Sequence, residues 1–496
     1  MIGTRRHNAP MQRITSATIA ELFDIAATRR IEQAAAAALP AHALMQRAGL
    51  AVARLAMAIA PHARTIWVAC GPGNNGGDGF EAAAQLRHRG FFPVVTFLGD
   101  EGRLPPDAKA SLQRARDAGV TFASTPPSAY ELAIDALLGI GSTRPPEGTM
   151  AEWLAEMHAS ARPVLSVDVP SGLNADTGTL THGIEPAQSS ARSCITFLTL
   201  KPGLFTAQGR DAAGAVWFDN LGCGAFKDQP AARIAGAPET RRRAHASHKG
   251  SFGDVAVIGG APGMAGAALL AGSAALHSGV GRVFVGLLDP SAAPVDIAQP
   301  ELMLRDARTL DLSGMTAVCG CGGAEAVAEL LPRVLSTAAA LVLDADALNA
   351  IAADSALQAQ LVLRGKGGAP TVITPHPLEA ARLLGCTVGE VQADRLAAAR
   401  RLAVHFGVVT VLKGSGTVVA DAGSAPPAIS LTGNARLATA GTGDVLAGMI
   451  GAALAMRQPA FEAAHEAVWQ HGHIADTWPA GAAPLTAGAL ARRAPS

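Results

Sequence analysis

Thr65-Ile-Trp-Val-Ala-Cys-Gly-Pro-Gly-Asn-Asn-Gly-Gly-Asp-Gly79 decides the fold. Its first six residues form a short apolar run with no polar alternation. Such a strand is buried on both faces and belongs to a parallel sheet covered by helices. The glycine-dense loop that follows opens a helix. Missing side chains let backbone N–H groups approach a phosphate there, and the helix dipole favours negative charge at the same end. The spacing is neither Gly-x-Gly-x-x-Gly nor a Walker loop, so the ordinary dinucleotide fingerprint is not met.

Working outward, the same alternation of strand and Ala-rich helix recurs. In the first half, strands are expected at Pro93–Leu98, Leu132–Leu137, Val164–Val169, Cys194–Leu200 and Val216–Asn220, after helical patterns from Ser16 to Ile59. In the second half they are expected at Asp254–Gly259, Arg282–Leu287, Thr316–Cys319, Ala340–Leu343, Thr371–Thr374, Val408–Leu412 and Thr417–Ala420. Between the halves, 224–247 is rich in Ala, Pro and Arg, lacks apolar periodicity and reads as a linker. The fold class is therefore α/β with two domains, 1–223 and 248–496, the first a Rossmann-like doubly wound sheet.

Composition narrows the function. Lys+Arg and Asp+Glu both number 40 in 496 residues, so there is no basic excess for nucleic acid or an anionic membrane. The Arg241-Arg242-Arg243 triplet reads as solvated linker. No apolar run reaches the length of a membrane span, and the N-terminus has no signal-peptide core. Six scattered cysteines without a CxxC pair read as reduced thiols in a cytoplasmic protein. Lysines number only six, and Lys201, Lys249 and Lys413 sit beside Pro or Gly, which suggests that an ammonium is needed there.

Chemistry-bearing motifs sit at strand ends. Val167-Asp-Val-Pro-Ser-Gly-Leu-Asn-Ala-Asp-Thr-Gly178 places Asp168 at the carboxyl end of a parallel strand, where α/β sheets bind ligands. Asp135-Ala-Leu-Leu-Gly-Ile-Gly141 repeats the strand and glycine-loop theme. Asn75, Asp135 and Ser171 form a hard-oxygen set suited to a cation, although a lone Asp at a strand end is often only a cap. In the second half, His248-Lys-Gly-Ser-Phe-Gly-Asp-Val-Ala-Val-Ile-Gly-Gly260 feeds an Ala-rich helix. Asp344-Ala-Asp-Ala-Leu-Asn349 ends another strand, and Thr374-Pro-His-Pro-Leu-Glu379 presents His376 between two prolines. Lys413-Gly-Ser-Gly-Thr417 offers a cation and a flexible backbone to nucleotide phosphates. Ala440-Gly-Thr-Gly-Asp-Val-Leu-Ala-Gly448 opens a long helix and puts Asp444 at its start, as a general base or merely a cap.

Leu44-Met-Gln-Arg-Ala-Gly49, the 71–79 loop, the Asp135 and Asp168 motifs and Thr196-Phe-Leu-Thr-Leu-Lys-Pro-Gly-Leu204 occur in the order of the NAD(P)H-hydrate epimerase family, which the first half resembles. The resemblance implies that Asn74, Asn75, Gly76, Gly77, Asp78, Gly139, Ile140, Gly141, Ser142, Thr143, Arg144 and Pro145 bind hydrated NAD(P)H. It also implies that Asp168 is catalytic and that Asn75, Asp135 and Ser171 hold K⁺. Gln46 departs from the family's usual Glu and is expected just behind the ligand shell. The second half resembles the ADP-dependent NAD(P)H-hydrate dehydratase family, whose helix start is like the anion hole of ribokinase-like kinases. That implies a ribokinase-like domain, substrate contacts from Ala267, Gly322, His376 and Asp444, and nucleotide contacts from Lys413, Gly414, Ser415, Gly416, Thr417 and Gly443. Gly320-Cys-Gly-Gly-Ala324 departs from the family's Gly-Pro-Gly-Leu-Gly.

The two resemblances together imply an isomerase and a lyase in one chain. The first domain would interconvert the epimers of hydrated NADH and NADPH. The second would dehydrate the S form with ADP and Mg²⁺ to NAD(P)H, AMP and phosphate. A homo-oligomer is expected. The alternative is a ribokinase-like vitamin kinase with a non-catalytic dinucleotide-binding first half.

Overall fold

The computed structural model describes residues 11–141, 144–181, 191–224, 227–239 and 242–494. The chain forms two compact units: residues up to Thr15 with Ala20–Arg233, and Ser16–Ile19 with Ile234 onward. The division falls inside the short strand Ala232–Ala235, within the stretch expected to be a featureless linker. That strand buries alternate residues over only four positions, too few to register as periodicity.

The first unit contains β1 (Gln12–Arg13), α1 (Ile25–Ala37), α2 (Ala43–Ile59), β2 (Thr65–Cys70), α3 (Asn74–His88), β3 (Phe92–Phe97), α4 (Pro106–Asp117), β4 (Thr121–Ala123), β5 (Leu132–Ala136), β6 (Val164–Val167), β7 (Arg192–Phe197) and β8 (Ala215–Asp219). Its sheet runs β1-β8-β7-β6-β5-β2-β3-β4. The pairs are parallel except β1 with β8. From Ile66 to Cys70, β2 is wholly buried, as its unbroken apolar run requires. The chain leaves β2 toward β3 and returns to β5 on the other side. The order therefore reverses between β2 and β5, and a crevice opens at their carboxyl ends.

Helix formation begins later than the sequence pattern suggests. Ile19–Leu22 is a strand, and α1 starts after Asp24, whose carboxylate accepts from Ala27 N. Ile19–Leu22 joins a sheet, so the residues after Ser16 cannot turn into a helix, and the next capping side chain, Asp24, starts it instead.

Among the described residues, nine strands lie wholly in the second unit: β9 (Asp254–Gly259), β10 (Arg282–Leu287), β11 (Met303–Asp306), β12 (Thr316–Cys319), β13 (Ala340–Leu343), β14 (Thr371–Ile373), β15 (Val409–Leu412), β16 (Val418–Ala420) and β17 (Ala428–Ile429). They run β11-β10-β9-β12-β13-β14-β15-β16-β17. The first seven pair in parallel, and the pairings β15 with β16 and β16 with β17 are antiparallel. The helices that matter to the site are α5 (Ala265–His277), α6 (Ala345–Ala353), α7 (Pro377–Leu384), α8 (Thr442–Ala455) and α9 (Ala460–Asp476). The order reverses between β9 and β12, so this sheet also opens its crevice beside glycine loops. Apolar side chains fill both faces: Val255, Val257 and Val318 against α5 and α8, and Ala256, Ile258 and Leu343 on the other side. Among the described residues no helix is long and apolar enough to cross a membrane.

Candidate functional site

In the first unit the loops after β2 and β5 meet. A Cβ at Gly71 would overlap the Leu137 carbonyl, so only glycine lets the two turns approach this closely. They frame a cavity of about 720 Å³. Asn74, Asn75, Asp78, Gly139, Ile140, Gly141 and Asp168 all line it. Gly76 and Gly77 do not; they are buried, Gly76 against the Gly71 backbone and Gly77 against Met45. Their part is to let α3 begin there. Arg144 and Pro145 are exposed and do not line it, and Ser142 and Thr143 fall outside the described residues. Gln46 is exposed on α2 and is not among the lining residues, which corrects its expected place behind the ligand. The long side of a helix that covers the sheet faces solvent at that register.

Asp168 follows β6 with φ at +62°, a left-handed conformation that aspartate tolerates better than most residues. Its Oδ1 accepts from Lys201 Nζ at 2.5 Å, with Thr196 Oγ1 and Phe197 N each at 3.3 Å. Lys201 is 1% exposed and also donates to Thr196 Oγ1 and the Phe197 carbonyl, so its three protons are placed. The scarcity of lysine was the signal for it. Two further carboxyls share the cavity. Burial, and then the negative charge of Asp168, push Glu32 up and hold Asp78 well above the usual carboxylate range. Glu32 was missed; it lies on α1, whose pattern is that of an ordinary amphipathic helix.

Asp135, Ser171 and Asn75 are brought together. Asp135 accepts from Ser171 Oγ at 2.6 Å and from Ser171 N at 2.9 Å. Ser171 Oγ accepts from Leu138 N at 2.9 Å, and Asn75 Nδ2 donates to the Leu138 carbonyl at 3.0 Å. All three side chains are buried.

The second unit builds its site from six turns. Gly260 N and Ala261 N donate to the carbonyls of Cys321 and Gly322, tying the turn after β9 to that after β12. Gly320 has φ at +118°, and a Cβ there would overlap the Asp344 carbonyl. Gly322 lies against Ala267, so those two expected contacts are adjacent. Asp344, at the end of β13 and 1% exposed, accepts from Lys413 Nζ at 2.6 Å and Thr374 Oγ1 at 2.8 Å. Lys413 is held above its ordinary range because attraction to Asp344 and Glu379 outweighs the burial that opposes it.

Gly441 takes φ +89° and lets α8 begin, which brings Gly443 and Asp444 to the same place: a Cβ at Gly443 would lie 3.4 Å from Lys413 Nζ. Asp444 is half-buried. Burial first, and Asp344 second, raise it to about 6. One donor atom each of Cys321, Asp344 and Asp444 lies within 4.8 Å of the others. Beneath α8, the buried His471 Nε2 bonds the Thr442 carbonyl at 2.8 Å.

Gly414, with φ +139°, abuts the Arg395 guanidinium, which bonds the Lys413 carbonyl; Thr417 Oγ1 closes the turn on the Gly414 carbonyl, while Ser415 and Gly416 complete it. His376 is arranged differently from a free ligand side chain. Its Nδ1 accepts from Leu378 N and Glu379 N as the cap of α7, and its Nε2 lies 3.1 Å from Glu379 Oε1. The adjacent Pro375 carbonyl accepts from Lys413 N, which keeps this cap beside the phosphate loop.

Each unit therefore has glycine turns at its switch point, a lysine paired with a carboxylate, and a carboxyl facing the crevice. Comparisons with known proteins agree with that division. Residues 255–495 match the family model described as NAD(P)H-hydrate dehydratase, and residues 41–203 match that of the YjeF-related protein N-terminus. The bifunctional NAD(P)H-hydrate repair enzyme Nnr of Escherichia coli (strain K12) is 38% identical over 458 residues, covering 88% of this chain and 85% of that protein. The bifunctional NAD(P)H-hydrate repair enzyme of Leishmania braziliensis is 36% identical, over 90% of this chain and 87% of that one. The ADP-dependent (S)-NAD(P)H-hydrate dehydratase of Neisseria meningitidis is 45% identical over 243 residues, 48% of this chain and 80% of that protein. A solved ADP/ATP-dependent NAD(P)H-hydrate dehydratase of Bacillus subtilis, crystallised with ATP and Mg²⁺, is 31% identical over 50% of this chain and 90% of that one, with a TM-score of 0.42. The full-length relatives carry the name of a repair enzyme and not of a vitamin kinase. With both halves matched in order and across nearly the whole chain, this protein belongs to the family of bifunctional NAD(P)H-hydrate repair enzymes.

Proposed function

We propose that the two activities of this bifunctional epimerase and dehydratase are divided between the units, hydrated NAD(P)H being epimerised at Asp168 and dehydrated at Asp444 with ADP as phosphoryl donor. The observation that carries this division is the pair of separate crevices, one per unit, each with its own lysine–carboxylate pair. Domain limits of 1–223 and 248–496 follow the two sites.

In the first unit, epimerisation breaks and remakes a bond at the hydroxyl-bearing carbon. A carboxylate that takes up and returns one proton assists both directions. Asp168 would do this, with Lys201 fixing its orientation. The start of α3 at Asn74, Asn75 and Asp78 and the turn Gly139–Gly141 would hold the dinucleotide. Ser142, Thr143, Arg144 and Pro145 would extend that contact. The oxygen cluster of Asn75, Asp135 and Ser171 suits K⁺, because it offers several neutral oxygens and one formal charge. Bound there, the ion would supply a fixed positive charge beside the loop after β5. Replacing K⁺ with a bulky organic cation is expected to lower epimerase activity in the wild type and not in Asp135→Asn, as measured by chromatography of the epimers. Equal responses would overturn the ion site.

In the second unit, Asp444 would take the proton of the ring hydroxyl as that oxygen attacks the terminal phosphorus of ADP. The phosphorus–oxygen bond to AMP breaks. The phosphate then leaves the ring as the carbon–carbon double bond re-forms with loss of a ring proton. Amides at Gly443 and its neighbours, with Lys413, would stabilise charge on the transferred group. Gly414, Ser415, Gly416 and Thr417 would hold the nucleotide, and Ala267, Gly322 and His376 the hydrated ring. Mg²⁺ bound to the nucleotide would neutralise phosphate charge.

The test is hydrated NADH with ADP, with ATP and with neither, followed at the absorbance of reduced nicotinamide. Recovery with ADP is expected. Recovery with ATP alone would overturn the donor assignment.

A further inference from the structure

We infer that Cys321 is a positioning residue of the dehydration site, its S–H donating to the Asp444 carboxylate and turning that carboxylate toward the substrate hydroxyl. The inference rests on reading Asp444 as the base.

The backbone leaves Cys321 little choice. Gly320 and Gly322 on either side have φ of +118° and +60°, and the Cys321 carbonyl is held by Gly260 N at 3.0 Å. The side chain is wholly buried, with Sγ within 4.8 Å of carboxylate oxygens of both Asp344 and Asp444. Those two carboxylates are served differently. Asp344 takes Lys413 Nζ and Thr374 Oγ1. Asp444 has the Cys321 thiol beside it, Sγ lying within 4.8 Å of its carboxylate oxygen, and that thiol acts on it in the opposite direction to burial.

A buried cysteine more often acts as a small hydrophobe, and Val318 and Val445 belong to the same packed cluster. What separates this one is the side it turns to the carboxylates. Burial and the charges of Asp444 and Asp344 push its thiol well above the ordinary range, so it stays protonated and remains a donor while Asp444 titrates. The other charges facing Asp444 are Asp344 and Asp346 from the end of β13 and the start of α6, and Lys413 from the end of β15. From α9, His471 faces the backbone of the same turn and bonds the Thr442 carbonyl. An S–H bond to Asp444 favours the charged carboxylate, in the same direction as Lys413 and against burial.

The experiment uses the full chain and the purified epimer that is dehydrated directly, and follows kcat/KM against pH in Cys321→Ala and Cys321→Ser. Alanine removes the donor, so the acid limb is expected to move up by about half to one pH unit, because a thiol is a weak donor. Serine keeps a donor and is expected to hold the limb at or below its wild-type position. A packing role would lower the melting temperature without moving the limb. An unmoved limb in Cys321→Ala, or equal upward shifts in both variants, overturns the inference. If the alanine variant does not fold, Cys321→Val makes the same comparison. Asp444→Asn separates the two readings: full dehydratase activity in that variant removes the base itself. Loss of activity there, with an unmoved limb in Cys321→Ala, removes only the thiol.

Discussion

At the scale of single residues, the two carboxylates proposed to carry the chemistry differ in their surroundings. Asp168 is in contact with a fully engaged lysine. Asp444 faces the crevice, and burial with the nearby Asp344 raises it to about 6. A base must be unprotonated to act, so dehydratase kcat/KM is expected to fall as pH drops through about 6. Asp444→Asn keeps the size of the side chain and removes the base. It should lose on the order of 10²–10⁴-fold in rate, measured with the directly dehydrated epimer, and keep no acid limb. A variant with nearly full rate would show Asp444 to be only a helix cap. His376 shows what a motif leaves open about its side chain. The two prolines do fix it, yet its ring nitrogens are spent on the turn of α7 and on Glu379.

At the scale of elements, the turn into α8 depends on α9. His471 is buried where its Nε2 meets the Thr442 carbonyl, and burial lowers it from its ordinary 6.5 to about 4. The unfolded chain takes up a proton near pH 6.5 that the folded unit refuses until about 4. Stability from this group is therefore complete above 6.5 and is lost as pH falls through that window. The thermal midpoint of the second unit should decline more steeply between about pH 7 and pH 4 in the wild type than in His471→Gln, which keeps an N–H donor. Parallel declines would show that His471 does not couple the turn to pH. The glycine turns are the other element-scale device. At Gly71 and Gly320 the requirement is contact with a neighbouring loop's carbonyl, and neither position can be told from sequence to be anything but flexible.

At the scale of the whole chain, two sites in two units imply that the product of one must reach the other through solution or along the protein. A mixture of both epimers with ADP should be repaired fully by the wild type. Asp168→Asn should consume the dehydratable epimer and then stall, and Asp444→Asn should interconvert epimers without repairing them. An equal mixture of the two variants should restore complete repair, because each supplies the site the other lacks. Continued stalling in that mixture would mean that the epimer does not pass between molecules, and that the two sites must share a chain.

What the amino-acid sequence determined by itself was local. Unbroken apolar runs announced strands buried on both faces, and glycines after them announced turns at strand ends; both follow from short-range sterics and solvation. That local logic suffices to put Asn75, Asp135 and Asp168 at the carboxyl ends of strands. Tertiary structure decided which of those ends are neighbours. The order β6-β5-β2 sets the Asp135 and Asp168 turns beside the 71–79 loop, and β9-β12-β13 sets Cys321 beside Asp344. The pairing of Lys201 with Asp168 spans 33 residues, and that of Lys413 with Asp344 spans 69. No period or propensity encodes such a meeting. It arises because burying both faces of each sheet forces distant strand ends into one crevice, where an isolated charge is costly and a partner must be found.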